Sequence, residues 1–338
     1  MLGLGIIGLG LALKPHALSL RELESRVSVR GAYSPSAARR QEFESAWRWP
    51  TRDSLDALLA DPAVQAVLIL TPPRTHFDLA SRAAGAGKHV LLEKPVDVTH
   101  AEAKRLVDVV DSHRRRLGVV FQHRFRPGAI ALRDILRQGE LGELLSVSAA
   151  VRWWRSPAYY AQPGRGMKDR DGGGVLLTQA IHTLDLMLDL AGPAARVSAR
   201  CRTSPLRRID TEDIACATVE FQCGAIGVLD ATTVATPGYP ERIDIAGTRG
   251  SAVIEAERLT VHRDGRDPLV IDGATAGGGG ADPMAFSHEP HKRLIEDFLE
   301  AVETGRAPMA DGHSALKVHA LIDAMLASST AGTWMDLP

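Results

Sequence analysis

Leu4-Gly5-Ile6-Ile7-Gly8-Leu9-Gly10 is an apolar run that stops in a two-glycine turn, and a helical pattern begins soon after it. The letters read as a strand over Leu4–Ile7 entering that turn. Glycines here let backbone N–H groups approach a pyrophosphate, and the following helix adds its positive end. The third position of the dinucleotide fingerprint is Leu13, in place of glycine or alanine. Two glycines alone also fit a plain strand–turn–helix. Weight comes from their place at the head of a βαβ series.

That series occupies about the first 120 residues, where short apolar runs alternate with helical patterns, as in a parallel α/β sheet. The strand candidates are Leu4–Ile7, Val27–Ala32, Ala66–Leu70, Val90–Leu92 and Gly118–Phe121. Asp53 can cap the helix carrying Leu55, Leu58 and Leu59, and Pro72-Pro73 opens the next one. Thr99-His100-Ala101-Glu102 is a capping box ahead of Leu106, Val107 and Val110. The expected fold is α/β in both of two domains. The first, residues 1–122, is a doubly wound parallel Rossmann sheet that binds NAD(P), with ligands beyond the strand carboxyl ends.

After Pro127 the pattern changes. A helix from Ile130 to Leu136 leads to a long strand, Leu144 to Trp153, and a long helix runs from about Gly174 to Leu190. Then come β-rich segments at Arg196–Arg202, Ile214–Phe221, Ala225–Thr233, Arg242–Ala246, Ala252–Ala256 and Leu259–Val261. Short turns such as Cys223-Gly224 make this sheet mostly antiparallel and open, flanked by helices. Gly277–Gly280 reads as a flexible loop, and helices over His288–Thr304 and His313–Ser329 close the chain. Residues 123–338 form the expected domain for substrate and oligomerisation, with a homodimer or homotetramer built on the open sheet.

With 338 residues and 45% hydrophobic content, the chain can bury a full core in about two domains. A net charge of −1 argues against general affinity for nucleic acid or an anionic membrane. Cys201, Cys216 and Cys223 are odd in number and lack metal-type spacing, so they read as buried thiols in a reducing compartment. Residues 1–13 lack the basic flank of a signal peptide, and no stretch has the length of a membrane span. A cytoplasmic protein is expected.

The second strand bears on the cofactor. An acid that holds the ribose hydroxyls of NAD is expected about 20 residues past the glycines. Here the chain runs Arg30-Gly31-Ala32-Tyr33-Ser34, and Arg39-Arg40 follow. Ser34 with Arg39 suits a 2′-phosphate, so the reading leans to NADP over NAD. The arginines also fit exposed helix positions. Thr71 and Pro72 follow the third strand toward the nicotinamide end, where His76 either touches the cofactor or is structural.

Glu93-Lys94-Pro95 ends the apolar run His89–Leu92. A lysine there is a surface residue before a turn, or a proton carrier. Near a cationic nicotinamide and partly desolvated, its pKa falls toward neutrality. It then exchanges a proton with a substrate hydroxyl as hydride leaves the carbon. Glu93 orients or pairs with it. Further on, Gly172-Gly173-Gly174 opens the helix with Thr178 and His182, four apart and on one face. Asp185 lies three beyond His182 and can orient its ring. The preceding loop holds Tyr160, able to stack on a sugar, and Arg165 and Lys168, able to pair with an anion. An ordinary lid with solvated charges fits it as well.

Taken together, Ile6-Ile7-Gly8-Leu9-Gly10, Glu93-Lys94-Pro95, Arg124-Phe125-Arg126-Pro127, the Gly-rich helix with His182 and Ser328-Ser329-Thr330-Ala331-Gly332 resemble the glucose–fructose oxidoreductase/inositol dehydrogenase (Gfo/Idh/MocA) family over nearly the whole chain. The resemblance implies a Rossmann domain and an open-sheet domain, with a sugar, cyclitol or derivative between them. It implies hydride transfer to or from NAD(P) at a secondary alcohol, with Lys94 as catalytic lysine and His182 as active-site histidine. Many members carry an aspartate four residues before that histidine, where this chain has Thr178. Arg124, at the crossing into the second domain, can reach either ligand. A cofactor-binding regulator that has lost its chemistry is the alternative, favoured by Thr178 and Leu13. A metal hydrolase on His288, His291 and His313 lacks a zinc-like spacing, and no metal is expected.

Overall fold

A computed structural model describes residues 1–273 and 287–338. The expected loop at Gly277–Gly280 lies outside the described residues. The first elements are β1 (Leu2–Ile7), α1 (Leu13–Glu22), β2 (Val27–Tyr33), α2 (Ala37–Trp47), α3 (Leu55–Ala60), β3 (Ala66–Ile69), α4 (His76–Gly85), β4 (His89–Leu92), α5 (His100–Ser112) and β5 (Leu117–Val119). Their five strands form one parallel sheet in the order β2-β1-β3-β4-β5. All of β1 and β3 is buried, which a parallel sheet covered on both faces requires. The order reverses between β1 and β3, the switch point where open α/β sheets bind ligands.

Helix starts follow local hydrogen-bond chemistry. Thr99 accepts from Glu102 N–H, as its capping box demands. At α3 the cap is Ser54, whose side chain accepts from Ala57 N–H, and not Asp53. The side chain three residues before the free N–H makes the cap, and Asp53 stands one place too early. After Pro72-Pro73 a short 3₁₀ turn, Pro73–Thr75, precedes α4.

The chain continues through α6 (Pro127–Arg137), β6 (Leu144–Arg152), α7 (Pro157–Tyr160), α8 (Lys168–Asp171), a π-helical turn at Leu176–Ala180 and α9 (Ile181–Ala191). Then follow β7 (Ala194–Arg202), β8 (Ile214–Phe221), β9 (Ile226–Thr232), β10 (Arg242–Gly247), β11 (Gly250–Glu255), β12 (Arg258–Arg263) and β13 (Arg266–Ile271). The last elements are α10 (Glu289–Thr304), α11 (Gly312–Ala331) and β14 (Met335–Asp336). Nine strands form one sheet ordered β13-β12-β11-β10-β6-β9-β8-β7-β14. Every pair is antiparallel except β6 with β9.

One face of this second sheet is open. In β8, Ala215, Ala217, Val219 and Phe221 are buried while Cys216 and Thr218 face out, the period of a half-covered strand. This corrects the expectation of buried thiols. Cys216 and Cys223 are exposed and Cys201 is half-buried, because Cys216 falls on the outward register and Cys223 in the turn beyond β8. The buried face of β6 is covered by α9, whose residues are nearly all buried.

The chain divides into two compact units. Residues 1–121 form one with 288–316, and residues 122–287 form the other with 317–338. The helix α10 therefore packs in the first unit, against α1. A linear division at residues 122 and 123 does not provide for that return. Among the described residues, no helix is long and apolar enough to cross a membrane.

Candidate active site

In the first unit, three loops leave the carboxyl ends of the adjacent strands β1, β3 and β4. The first is the glycine turn. Gly8 has φ of +99°, and a Cβ there would lie 2.9 Å from the backbone of Leu70. Only glycine fits that conformation and that contact. Its N–H donates to Tyr33 O, 2.9 Å away. Gly10 is exposed, with no atom within 4 Å of where its Cβ would stand. The first turn of α1 has no side-chain cap at Ala12, so its N–H groups are free of side-chain acceptors. An open glycine, a required glycine and an uncapped helix start fit a nucleotide pyrophosphate. Leu13, in the third fingerprint position, is buried.

A Gly8→Ala variant should therefore lose nucleotide affinity by at least about tenfold, since either the turn or the Leu70 backbone must move. Titration of reduced nucleotide by fluorescence tests this. Affinity equal to that of the parent protein would show that the turn does not carry the phosphates.

The second loop holds Thr71, Pro72 and His76. Thr75 Oγ1 donates to Pro72 O and pairs with the Thr71 hydroxyl, each at 2.7 Å. His76 is fully buried, with Nε2 2.8 Å from Thr71 O and Nδ1 3.0 Å from Pro95 O. Burial holds its pKa below the ordinary histidine value, against the pull of these carbonyls. His76 thus ties the second loop to the third, and its contacts are with backbone.

The third loop is Glu93-Lys94-Pro95, in which the Lys94–Pro95 peptide is cis. Glu93 Oε2 accepts the backbone N–H of Lys94 at 3.0 Å, and Oε1 meets His16 Nε2 at 2.9 Å. Glu93 therefore holds the backbone of Lys94 by one oxygen and a buried histidine by the other. Lys94 itself is half-buried. At the end of β2, Ser34 is buried and accepts from Ser36 N–H, while Arg40 donates to Ser34 O at 2.7 Å. Arg39 is exposed.

In the second unit, the three glycines lead into the π turn. A Cβ on Gly174 would meet Glu212 O at 2.0 Å, so glycine is required by the approach of that backbone. Leu176 N–H donates to Glu212 Oε1 at 3.0 Å. Thr178 Oγ1 donates to Gly174 O at 2.7 Å. The wide turn interrupts the regular helix between Thr178 and His182, so the single α-helical face expected for that pair is not continuous. Such turns concentrate at functional sites.

His182 is buried and stacks on His123, with ring centroids 5.0 Å apart and planes at 28°. Arg126 Nη2 donates to His123 Nε2 at 2.8 Å, while Arg126 Nη1 donates to Glu241 Oε1 at 2.7 Å. The arginine fixes the His123 lone pair on Nε2. His123 and Arg126 were not expected site residues. The only signal for them is the run Gln122-His123-Arg124-Phe125-Arg126-Pro127, whose charges are dense for a segment that proves buried.

Asp185 does not serve His182 as expected. Both its oxygens accept from Arg124, at 2.5 and 2.7 Å, and both residues are buried. Burial pushes the Asp185 carboxyl up to about 6, against the pull of Arg124. Arg124 also donates to Asp189, which Arg133 holds from the other side. Its guanidinium thus donates to two carboxylates.

The loop before the glycines is likewise tied together. Tyr160 hydroxyl pairs with Thr233 Oγ1 at 2.9 Å, and Arg207 lies 4.8 Å from its ring centroid. Burial raises the Tyr160 pKa. Arg165 pairs with Asp171 at 3.2 Å and lies over Tyr159. Lys168 is exposed, and its backbone N–H donates to Asp210 Oδ1 at 2.9 Å.

Comparison with known proteins places both units. Residues 2–121 match the model of an oxidoreductase family with an NAD-binding Rossmann fold, and residues 129–253 match the GFO/IDH/MocA C-terminal domain. The chain is 30% identical over 335 residues to inositol 2-dehydrogenase of Rhizobium meliloti (strain 1021), covering 96% of each protein. It is 27% identical over 402 residues to levoglucosan dehydrogenase of Pseudarthrobacter phenanthrenivorans, covering 100% of this chain and 98% of that one. Among solved structures, the WlbA dehydrogenase of Bordetella pertussis in complex with NADH and UDP-GlcNAcA is similar with a TM-score of 0.84 and 26% identity, over 100% of this chain and 99% of that one.

Proposed function

Because the chain belongs to the GFO/IDH/MocA family of NAD-binding oxidoreductases, we propose that it moves hydride between a nicotinamide and a secondary alcohol or ketone of a sugar, cyclitol or related cyclic polyol. The carrying observation is that Lys94 leaves β4 on the same sheet edge as the glycine turn of β1. Relatives named for inositol and levoglucosan support the substrate class.

A nicotinamide dinucleotide, when bound, would supply the hydride acceptor or donor, its pyrophosphate held by the Gly8–Gly10 turn and the first turn of α1 and its nicotinamide end by the Thr71-Pro72 loop. Lys94 would take the proton of the substrate hydroxyl as the secondary alcohol is oxidised to a ketone. In the reverse direction Lys94 returns that proton. In the second unit, His182, whose ring stacks on His123, is the other residue proposed for proton handling. Thr178 cannot serve as an acid, and its hydroxyl lies within hydrogen-bond distance of Gly174 O and Gln179 Oε1. Tyr160, Arg165 and Lys168 belong to the loop wall and set which substrate is admitted.

Within this reading NADP is favoured over NAD. The chain at the end of β2, Ala32-Tyr33-Ser34, carries no acid that would hold the ribose hydroxyls, Arg40 donates to Ser34 O, and Arg39 is exposed on α2. A Ser34→Asp variant should shift the kcat/KM ratio toward NAD by at least about tenfold, by repelling a 2′-phosphate. A parent protein that already prefers NAD by that margin would overturn the assignment. The assembly proposed is a homodimer or homotetramer joined through the open face of the second sheet, where Ile226 and Val228 are 59% and 56% exposed. The function is tested by following nicotinamide reduction with a panel of cyclic polyols and sugars. Turnover of at least one is expected, and tight nucleotide binding without turnover of any would favour a non-catalytic binding protein.

A further inference from the structure

We propose that His16 is a positioning residue for Lys94, acting through Glu93. His16 lies in the second turn of α1, the helix that follows the glycine turn, and its ring is fully buried. Its Nε2 meets Glu93 Oε1 at 2.9 Å, and the other Glu93 oxygen accepts the Lys94 N–H at 3.0 Å. A carboxylate only accepts, so His16 Nε2 carries the proton and donates. Nδ1 of that ring has no hydrogen-bond partner among the described residues. The ring is also gripped from α10, where His291 packs edge-on with centroids 5.0 Å apart and planes at 89°.

The consequence is a chain of three fixed groups within the first unit. His291 holds His16, His16 holds the Glu93 carboxylate, and Glu93 holds the backbone from which the Lys94 side chain springs. Without His16, one oxygen of a half-buried carboxylate loses its donor, and the carboxylate can turn away from Lys94 N–H. The lysine would then lose its fixed origin at the end of β4, while the glycine turn kept its shape.

The same three side chains could be read as a metal centre, since their ligand atoms lie within 4.8 Å of one another. The distances argue against it. Around a tetrahedral zinc with bonds of about 2.0–2.1 Å, neighbouring ligand atoms stand about 3.3 Å apart. The contact of 2.9 Å between His16 and Glu93 is a hydrogen bond.

This inference rests on the assignment of Lys94 as the proton-exchanging group, so the experiment includes Lys94→Ala as a reference. His16→Leu should lower kcat about 10- to 100-fold, the cost of a misplaced catalytic group. Its nucleotide affinity, read by fluorescence, should stay within about threefold of the parent. His16→Gln, which can return an N–H to Glu93 Oε1, should recover most of the lost kcat. Glu93→Gln with His16→Ala, which removes the donor to Glu93 Oε1, closes a double-mutant cycle and carries the test should His16→Leu not fold. Coupling is expected, with the double variant no worse than the poorer single one. Additive losses, equal failure of His16→Gln and His16→Leu, or restoration of activity by added zinc after chelation would overturn the proposal. Full activity of Lys94→Ala would instead refute the role of the lysine.

Discussion

Lys94→Ala should lower kcat about 10²- to 10⁴-fold, the range supplied by a placed general acid or base. The substitution is clean because of how the residue is held. Glu93 grips the backbone N–H of residue 94, which alanine retains, and β4 lies inside the sheet independently of the lysine side chain. Fold and nucleotide binding should therefore survive, and the loss should fall on kcat. Lys94→Arg should remain nearly as inactive, because a guanidinium keeps its proton at any working pH. Steady-state kinetics beside nucleotide titration makes the comparison. Lys94→Ala turning over within about threefold of the parent would remove the lysine from the chemistry.

The second large effect is on stability. Arg124, Arg133, Asp185 and Asp189 form a charge-balanced network with little exposure in the second unit. Asp185→Asn leaves two guanidiniums sharing the single carboxylate of Asp189. Breaking a buried pair in this way costs about 3–5 kcal/mol, to be read by denaturant or thermal unfolding. Arg124→Met should cost a similar amount but with a distinct pH dependence. Burial already pushes Asp185 up to about 6, and Arg124 opposes that shift. Without the arginine, Asp185 holds its proton to a higher pH in the folded protein. A raised folded pKa gives stability that is present at low pH and lost as pH rises through it. The Arg124→Met deficit should therefore shrink below about 6 and grow above it. A pH-independent deficit would mean that the network is not electrostatic in origin.

Element order in the first unit could be read from periodicity because each strand is short, apolar and bounded by a helix that buries only one face. The glycine turn, the capping box at Thr99 and the loop at Glu93 are local signals of this kind. The second sheet was legible strand by strand, except for its two edge strands β13 and β14. Arg266-Asp267-Pro268 begins β13 with polar residues, and only pairing with β12 makes it a strand. The return of α10 to the first unit is invisible to local pattern for the same reason.

The candidate site shows the same division. Gly8, Lys94 and His182 are marked by their neighbours in sequence. The His182–His123 stack and the Arg124–Asp185 fork join residues 59 and 61 positions apart, and nothing in either segment alone names its partner. The π turn is set by Glu212 reaching across to Gly174 and Leu176, so a uniform helix was the natural expectation from the letters. His16 looks like an ordinary helix residue in sequence, and His76 carries two readings there. Their burial and their partners at Glu93, Thr71 and Pro95 give them their roles.

The most direct test follows a label from the alcohol carbon. A cyclic polyol or sugar that the protein turns over is deuterated at its secondary carbinol position, and the nucleotide product is recovered and weighed by mass spectrometry. The account predicts that the reduced nicotinamide gains the deuterium, with none lost to water. A reduced nicotinamide without deuterium, or oxidation of the substrate with no reduced nicotinamide formed, would contradict it.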